Sequence, residues 1–518
     1  MSWLRDRALI CLVGLSLTAG CGDDDATSGD GAPADGGALL DAAVSDGGGA
    51  RACDEAEASA PPGPRAAIEV VRPGARLSDI YLVDLSGPFP ICPVRVTPES
   101  LADGSGIVAG WSPDATMLAY AGGGAVQVVD ARGDRPAAPV RVTPEGATSC
   151  CALEWSPDSR WIGFAAVDAE GQGDSYVSQV VDGAVGDAID IVPGMATSVP
   201  AWRPGGGGML VRDLGAGSPL PLYWIPMNAT GPGSAELVTD QASTARWSPA
   251  GDRLVYSVMS DGRTELYVVD LDGDALGVAR LVTTHAGSGH VFDNYHWSPD
   301  GTRLLYLVAG SPSRLFTVDV TAPTPTARRV DDPDLGPVSH LALGWVSAER
   351  IHYQGGGNVL YLVDLADGNP GPSRDPSGGL ETNAIAPDHR SMIAETIVDE
   401  QYLAPVWVSL APGGPPPRPF DGTTPNFGYW YSFTGDSQRV LYAVQLPTQL
   451  GERRRYRLHV FDPTDPAAEP VFLLETHLES AIPRMGPETS FLLWEDEPDR
   501  PAVLYHGDLA AAADLEVV

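Results

Sequence analysis

Three histidines stand close together in the segment THAGSGHVFDNYHW: His285, His290 and His296. Imidazole nitrogens are common ligands of zinc and other transition metals, so these residues are the first place to look for metal chemistry. Their spacings of five and six residues do not form a ligand pattern on a single strand. Loop histidines are more often solvated or packed. The sequence therefore predicts no metal site and no other cofactor, with these three as weak candidates only.

The acidic run Asp270-Leu271-Asp272-Gly273-Asp274 resembles the opening of a calcium-binding loop. It lacks the glutamate that closes such a loop at the expected distance. Asp and Gly are also the residues that tight turns require. Because the repeated segments described below place a hairpin turn at this point, we interpret the run as a turn.

Several classes of enzyme are excluded by residue type. The chain contains no lysine, so all 32 basic residues are arginines. A Schiff-base lysine and a phosphate-loop lysine are therefore impossible. The chain also lacks a Gly-x-Ser-x-Gly nucleophile motif and a glycine-rich dinucleotide fingerprint. The sequence therefore predicts no catalytic residue, and the absence of these motifs favours a protein that is not an enzyme.

Residues 1–20 have the organisation of an export signal. Two arginines precede an uncharged, mostly apolar stretch that is too short to span a bilayer. It ends in Leu-Thr-Ala-Gly-Cys, which resembles the lipobox of bacterial lipoproteins. That resemblance implies that Cys21 is diacylated and anchors the protein in the bacterial cell envelope, on the periplasmic face or at the outer-membrane surface. The alternative is an ordinary exported protein that is cleaved nearby.

Residues 21–65 are rich in Gly, Ala and Asp and contain no aromatic residue. Such a segment cannot bury enough apolar surface to order itself, so we expect a disordered, acidic tether. With Cys11 removed in the signal and Cys21 acylated, four cysteines remain: Cys53, Cys92, Cys150 and Cys151. An even number in an oxidising compartment favours two disulfides, and adjacent cysteines rarely bond to each other. Cys150 and Cys151 would then pair separately with Cys53 and Cys92; the alternative is buried free thiols.

The formal net charge of −36 restricts the partners of the chain. Nucleic acids are excluded because phosphate binding needs a basic surface. An anionic membrane surface would also repel the protein, so we expect membrane contact only through the lipid anchor.

A phrase beginning Trp-Ser-Pro returns along the chain, followed by a short apolar run. Copies begin at Trp111, Trp155, Trp247 and Trp297, and a degenerate copy begins at Trp202. The Trp-to-Trp spacings are 44, 47, 45 and 50 residues, which indicates a repeat architecture. We expect the tryptophans to pack between repeats and the Asp of the phrase to bond backbone N–H groups of its turn. An exposed tryptophan platform for sugars is the alternative.

The copy around Trp247 predicts four short strands, at residues 243–247, 253–256, 265–270 and 279–283. Tight turns that contain Pro, Asp and Gly join them. Four strands in about 45 residues are typical of a β-propeller blade. A partial unit with strands near residues 67–71, 79–85 and 94–97 precedes the first tryptophan copy, and weaker copies continue to the end of the chain.

The phrase and the strand motif Leu-Tyr-Val-Val-Asp-Leu resemble the TolB-type propeller repeat, which also occurs in prolyl-oligopeptidase-like peptidases and oligogalacturonate lyases. The resemblance covers most of residues 66–518 and implies an all-β fold, a propeller of about eight to ten four-stranded blades. TolB carries an α/β domain before its propeller; here the tether occupies that place. The binding partners of TolB therefore cannot be assigned to this chain.

These observations together predict an envelope-anchored lipoprotein in which residues 66–518 form a non-catalytic propeller. Loops on a rigid propeller suit the binding of an envelope protein or a glycan. The alternative is a polysaccharide-active enzyme that resembles oligogalacturonate lyases, with metal-assisted chemistry in the propeller channel.

Overall fold

The computed structural model describes residues 11–12, 65–71, 77–84, 94–97, 101–102, 108–133, 136–168, 173–216, 220–260, 263–283, 291–310, 312–339, 342–398, 402–420, 429–434, 437–446, 456–465, 470–476, 484–485, 490–495, 503–508 and 516–517. Cys21, Cys53, Cys92, His285 and His290 lie outside these residues, as does nearly all of the predicted signal and tether.

Within the described residues the protein is almost entirely β-structure. The only helical elements there are two single 3-10 turns, Pro333–Leu335 and Gly356–Asn358. No helix in this part of the chain has the length and apolar character needed to span a bilayer. The all-β prediction is confirmed to this extent.

The strands form successive antiparallel sheets, most of them with four strands connected in chain order. We call each set of four strands a module and number the modules from the N-terminus. The strands of modules 1 to 5 are, in order: Arg65–Val71, Leu77–Asp84, Val94–Arg95 and Leu101–Ala102; Val108–Trp111, Met117–Gly122, Ala125–Asp130 and Val140–Arg141; Thr148–Trp155, Trp161–Val167, Gly173–Val181 and Ala184–Asp190; Ala201–Trp202, Gly208–Arg212, Leu220–Asn228 and Glu236–Trp247; and again Glu236–Trp247, with Arg253–Ser260, Arg263–Asp272 and Arg280–Leu281.

Modules 6 to 10 follow the same pattern. Their strands are Val291–Trp297, Arg303–Val308, Arg314–Asp319 and Ala327–Arg329; Leu343–Ser347, Arg350–Gln354, Leu360–Ala366 and Asn369–Pro370; Glu381–Ile385, Ser391–Val398, Tyr402–Ser409 and Arg418–Pro419; Tyr429–Phe433, Val440–Gln445, Tyr456–Phe461 and Val471–Thr476; and Arg484–Met485, Ser490–Glu495, Val503–Asp508 and Glu516–Val517. Three further two-residue strands pair at the margins: Cys11–Leu12 runs parallel to Arg65–Val71 of module 1, while Gly231–Pro232 and Ala275–Leu276 pair antiparallel with strands of modules 4 and 5.

Modules 4 and 5 share one strand. Glu236–Trp247 is 12 residues long, and its first half pairs with Leu220–Asn228 while its second half pairs with Arg253–Ser260. Ala242 lies at the crossover, opposite Leu220 on one side and Val258 on the other. The result is a nine-stranded sheet where the sequence predicts two separate blades.

The hydrophobic core lies between modules. Each apolar cluster joins residues of two consecutive modules, because the second and third strands of a module present apolar side chains on both faces. Between modules 5 and 6, for example, Val255 and Leu266 pack with Tyr295 and Leu304. Equivalent clusters join every consecutive pair from modules 1 and 2 to modules 8 and 9. The modules are therefore stacked face to face along the chain.

Candidate functional site

The Trp-Ser-Pro-Asp phrase forms the turn between the first two strands of a module. In module 2, the Ser112 hydroxyl donates to Oδ1 of Asp114 at 2.6 Å and accepts from the Met117 N–H at 2.9 Å. The same carboxylate oxygen accepts from the Thr116 N–H at 3.1 Å. Burial alone would raise the pKa of Asp114, but the hydrogen bonds from Ser112 and Thr116 outweigh it and lower that pKa. The prediction that this Asp serves the turn is confirmed.

One residue of this turn has a left-handed backbone, with a φ between 56° and 82° in seven modules. Glycine favours that conformation, although only some modules use it. The residues at this position are Ala115, Ser159, Gly206, Gly251, Gly301, His389 and Ser437. The position places the side chain of His389 at the junction of two modules, where it enters the site described below.

The tryptophans of the phrase are buried between modules. Trp111, Trp155, Trp202, Trp247 and Trp345 are all less than 9 % exposed. Four indole N–H groups donate to a backbone carbonyl of the preceding module. The acceptor is each time the residue directly before the tryptophan of that module: Trp155 donates to Gly110 O, Trp202 to Glu154 O, Trp297 to Arg246 O and Trp345 to His296 O, at 3.0 to 3.3 Å. The packing role is confirmed for these residues, and an exposed sugar platform made of them is ruled out by their burial.

Arginines connect each module to the one that follows it, whereas the tryptophans connect it to the one before. The guanidinium of Arg203 donates to Gly251 O at 2.6 Å, that of Arg253 to Gly301 O at 3.1 Å and that of Arg303 to Ala348 O at 3.0 Å. Further bonds of this kind run from Arg132 to Asp182 O, Arg246 to Tyr295 O, Arg280 to Val320 O and Arg350 to Leu410 O. Since a guanidinium stays charged and carries five donors, it can bond its own strand and the next module together.

The acidic run at Asp270 is part of this scheme. The Asp270 carboxylate pairs with Arg253 and Arg280, at 3.0 Å each. Gly273 has a φ of 63° in the turn that follows. Two arginines therefore pair with the Asp270 carboxylate, which a calcium loop would need as a ligand. The interpretation of this run as a hairpin turn is confirmed.

Histidines from two modules meet at one junction. His352 lies on the second strand of module 7, and its Nε2 is 3.1 Å from Nδ1 of His389 in the first turn of module 8. The two rings are stacked, with centroids 5.3 Å apart. Gly344, opposite His352 on the first strand of module 7, leaves room for them, because a Cβ there would lie 2.9 Å from His352 Nε2. We call His352, His389 and Gly344 the histidine junction.

The histidine junction excludes water from one of its rings. His352 is 1 % exposed, and its Nδ1 has no hydrogen-bond partner. Burial, reinforced by the neighbouring His389 and His296, lowers the pKa of His352 to about 3. Burial, with Arg246 and His389, lowers the pKa of His296 to about 4. Both histidines are therefore neutral near pH 7.

The predicted histidine group is only partly described. His296 lies on the first strand of module 6, directly before Trp297, while His285 and His290 are outside the described residues. In the part of the chain that the structure describes, no three His, Cys, Asp or Glu side chains are arranged to hold a metal ion. Cys150 and Cys151 lie in Thr148–Trp155, but their side chains, like Cys53, Cys92 and the acylation site, are outside the description, so those expectations stay predictions.

His352 and His389 were not singled out from the sequence. They are 37 residues apart and belong to two of the later modules, in which the Trp-Ser-Pro-Asp phrase has decayed. One signal was available: His389 stands where other copies have glycine in the turn. What the described groups can do chemically is share a proton between two imidazoles across a junction of modules.

No family model and no curated protein matches this chain. Among solved structures, the crystal structure of a eukaryotic initiation factor is similar, with 14% identity over 77% of this chain and 94% of that one, at a TM-score of 0.47. A putative TolB from Agrobacterium tumefaciens has 16% identity over 46% of this chain and 83% of that one, at a TM-score of 0.28. A TolB protein is thus a weak structural neighbour. Neither likeness is close enough to indicate what the chain does.

Proposed function

We propose that the chain is a lipid-anchored β-propeller that binds an envelope protein or a glycan and holds it at the bacterial cell surface or in the periplasm, without catalysis. In this proposal the modules are the blades of one closed ring, and Cys21 carries the lipid. The sequence motif at residues 17–21 supports the anchor. The face-to-face stacking of four-stranded modules supports the ring.

The observation that carries the proposal is the double series of bonds between modules. Tryptophan N–H groups bind the preceding module and arginines bind the following one, each to a backbone carbonyl. Backbone carbonyls do not change with side-chain rotamers, so these bonds fix the orientation of whole modules. A rigid body with loops at its edges is pre-organised for recognition, because little conformational entropy is lost on binding.

The net charge of the protein restricts the classes of partner that it can bind. With a net charge of −36, the surface attracts basic protein segments and repels acidic polymers. We therefore expect a protein partner with a basic surface, or a neutral glycan.

Photo-cross-linking in intact cells tests the proposal. Amine-directed reagents find no lysine side chain in this protein, so a photoreactive residue replaces Val278 (85% exposed) or Leu214 (50% exposed). We expect the same few adducts to recur with the anchored protein and to disappear in a Cys21→Ala variant, which loses the lipid. A buried position, Leu304, is the control that should give no adduct.

Two results would contradict the proposal. Adducts that persist unchanged in the Cys21→Ala variant would refute the anchor, and turnover of a polysaccharide by the purified protein at ordinary enzymatic rates would refute a purely binding role. Metal analysis of the exported protein tests the alternative that the protein is a metal-assisted polysaccharide lyase. That alternative requires bound metal that is lost when His285, His290 and His296 are each changed to Ala.

A further inference from the structure

Two exposed apolar side chains occupy the same position in neighbouring modules. Leu214 of module 4 follows Trp202 by 12 residues, and Met259 of module 5 follows Trp247 by the same number. The two side chains are 50% and 56% exposed. Module 2 has Gly123 at this position, so the fold does not require an apolar residue there. Single exposed apolar residues are common in proteins, but a repeated pair on one surface indicates a contact with another molecule.

These two side chains lie at one end of their modules. The turn formed by the Trp-Ser-Pro phrase is at the other end, and the second strand then carries the chain across the module, because successive strands are antiparallel. We call the end opposite the Trp-Ser-Pro turns the distal end. Leu214 follows the second strand Gly208–Arg212, and Met259 lies near the end of the second strand Arg253–Ser260. Both residues therefore belong to the distal end.

Backbone contacts connect the two positions into one surface. Arg212, two residues before Leu214, donates from its guanidinium to Ala242 O in the strand that modules 4 and 5 share, at 3.2 Å. Ala242 lies opposite Val258, the residue directly before Met259. The distal ends of modules 4 and 5 are therefore joined at the point where the two apolar side chains are exposed.

Two carboxylates of module 3 belong to the same end. Asp174 lies near the start of the third strand Gly173–Val181, and Asp190 ends the fourth strand Ala184–Asp190. Burial raises the pKa of Asp190, and the negative charge of Asp174 raises it further. Since a nearby positive charge favours the ionised form of a carboxyl group, a cationic partner would relieve this repulsion.

The carboxylates adjoin the apolar side chain of module 4. The Ser175 hydroxyl, next to Asp174, donates to Thr197 O at 2.8 Å. Thr197 forms an antiparallel bridge with Asp213, the residue directly before Leu214. Acidic and apolar groups are thus neighbours on one surface. We call Asp174, Asp190, Leu214 and Met259 the distal patch.

The composition of the distal patch distinguishes its possible occupants. A second copy of the chain would bring another net charge of −36, and residues 21–65 contain ten acidic residues and two arginines, so the carboxylates repel both. A glycan offers no apolar side chain against which leucine and methionine could be buried. A basic protein segment that also carries apolar side chains matches both features of the patch.

We propose that the distal patch docks a basic segment of a partner protein. Arginine or lysine side chains of that segment pair with Asp174 and Asp190, and its apolar side chains pack on Leu214 and Met259. The inference rests on the proposed binding function and adds to it the surface that binds and the chemistry of the partner.

Binding of defined peptides to the purified full chain tests the distal patch. The probe is a fluorescein-labelled peptide in which arginine and leucine alternate, and fluorescence anisotropy measures its dissociation constant. Two control peptides carry serine in place of leucine or glutamate in place of arginine. We expect each control peptide to bind at least about tenfold more weakly than the arginine–leucine peptide, because apolar burial and charge both contribute to binding.

Matched variants separate the apolar contribution. Leu214→Ser combined with Met259→Ser should raise the dissociation constant of the arginine–leucine peptide about tenfold or more, since two apolar side chains lose their contacts. Val278→Ser removes an apolar side chain that is 85% exposed near the opposite end of module 5, and it should change the constant less than about twofold. All three substitutions are at exposed positions, and an unchanged midpoint of thermal unfolding confirms that the variants fold.

A second matched set separates the charge contribution. Asp174→Asn combined with Asp190→Asn should raise the dissociation constant about fivefold and reduce its dependence on salt. Asp272→Asn combined with Asp367→Asn removes the same charge from exposed positions at the ends of third strands, away from the distal end. That control should leave the constant within about twofold of the original.

Three results would overturn the assignment of the distal patch. The first is that the arginine–leucine peptide does not bind, and the second is that patch and control variants weaken its binding equally. The third is self-association of the chain, seen by sedimentation, that disappears when Leu214 and Met259 are changed to serine, because a second copy would then be the occupant. The proposed binding function is judged separately, by the cross-links formed in intact cells and by the assay for polysaccharide turnover.

Discussion

At the scale of single residues, the tryptophan of the repeated phrase has two separable functions. Its ring fills the space between modules, and its N–H bonds a carbonyl of the preceding module. Trp345 does both, with its Nε1 3.2 Å from His296 O. Trp247 is similarly buried, but its Nε1 has no hydrogen-bond partner. The two residues are buried to a similar degree and differ in hydrogen bonding, although Trp247 also makes an edge-to-face contact with Trp224, with ring centroids 5.2 Å apart.

Replacing each of these tryptophans by phenylalanine should separate the two contributions. Both variants lose ring volume, but only Trp345→Phe also breaks a hydrogen bond and leaves a buried carbonyl without that donor. We expect Trp345→Phe to lower the free energy of unfolding by about 1 kcal/mol more than Trp247→Phe. Urea denaturation of the purified protein measures the difference. Equal losses would show that the indole N–H contributes nothing.

At the scale of the strand and turn, the Ser-Pro-Asp turn tolerates residues that its backbone does not favour. Ala115 has a φ of 58° and Gly301 a φ of 67° at equivalent positions. The strain at Ala115 persists because the surrounding hydrogen bonds from Ser112 and Thr116 determine the turn.

Exchanging the two residue types should change stability in opposite directions. We expect Ala115→Gly to raise the free energy of unfolding by about 0.5 kcal/mol and Gly301→Ala to lower it by about 1 kcal/mol. A Cβ on Gly301 would come no closer than 3.6 Å to a neighbour, so the loss reports on backbone conformation alone. Thermal unfolding of both variants is the measurement, and changes of the same sign would contradict the argument.

Elements of this kind were predictable from the sequence to different degrees. Strands predicted at residues 253–256 and 265–270 lie within the observed Arg253–Ser260 and Arg263–Asp272, because alternating apolar residues and turn residues specify them locally. The shared strand Glu236–Trp247 was not predicted, since no local signal distinguishes one long strand from two short ones. The contact of His352 with His389 depends on how two modules pack, which the sequence of neither module contains.

At the scale of the whole molecule, charge opposes compactness. Residues 66–518 hold 57 acidic residues and 28 arginines, and many of those arginines are already engaged between modules. The remaining carboxylates repel one another, which destabilises the folded state at low ionic strength.

Added salt should therefore stabilise this protein. Raising sodium chloride from about 20 mM to about 500 mM shortens the Debye length from roughly 20 Å to roughly 4 Å and screens this repulsion. We expect the midpoint of thermal unfolding to rise by several degrees, with most of the gain at the low end of the salt range. A midpoint that falls with salt would indicate that the arginine pairs, such as Arg253 with Asp270, outweigh the net charge.

The strand common to modules 4 and 5 also limits where this chain can be rearranged. At the described junctions 142–147, 191–200 and 371–380 the chain lies between strands, so new chain ends or an inserted domain could be placed there without dividing a strand. A cut within Glu236–Trp247 would instead remove hydrogen bonds from both Leu220–Asn228 and Arg253–Ser260 at once. A circular permutant should therefore keep modules 4 and 5 together. The smallest unit that can be duplicated at this place, by evolution or by design, is a pair of modules.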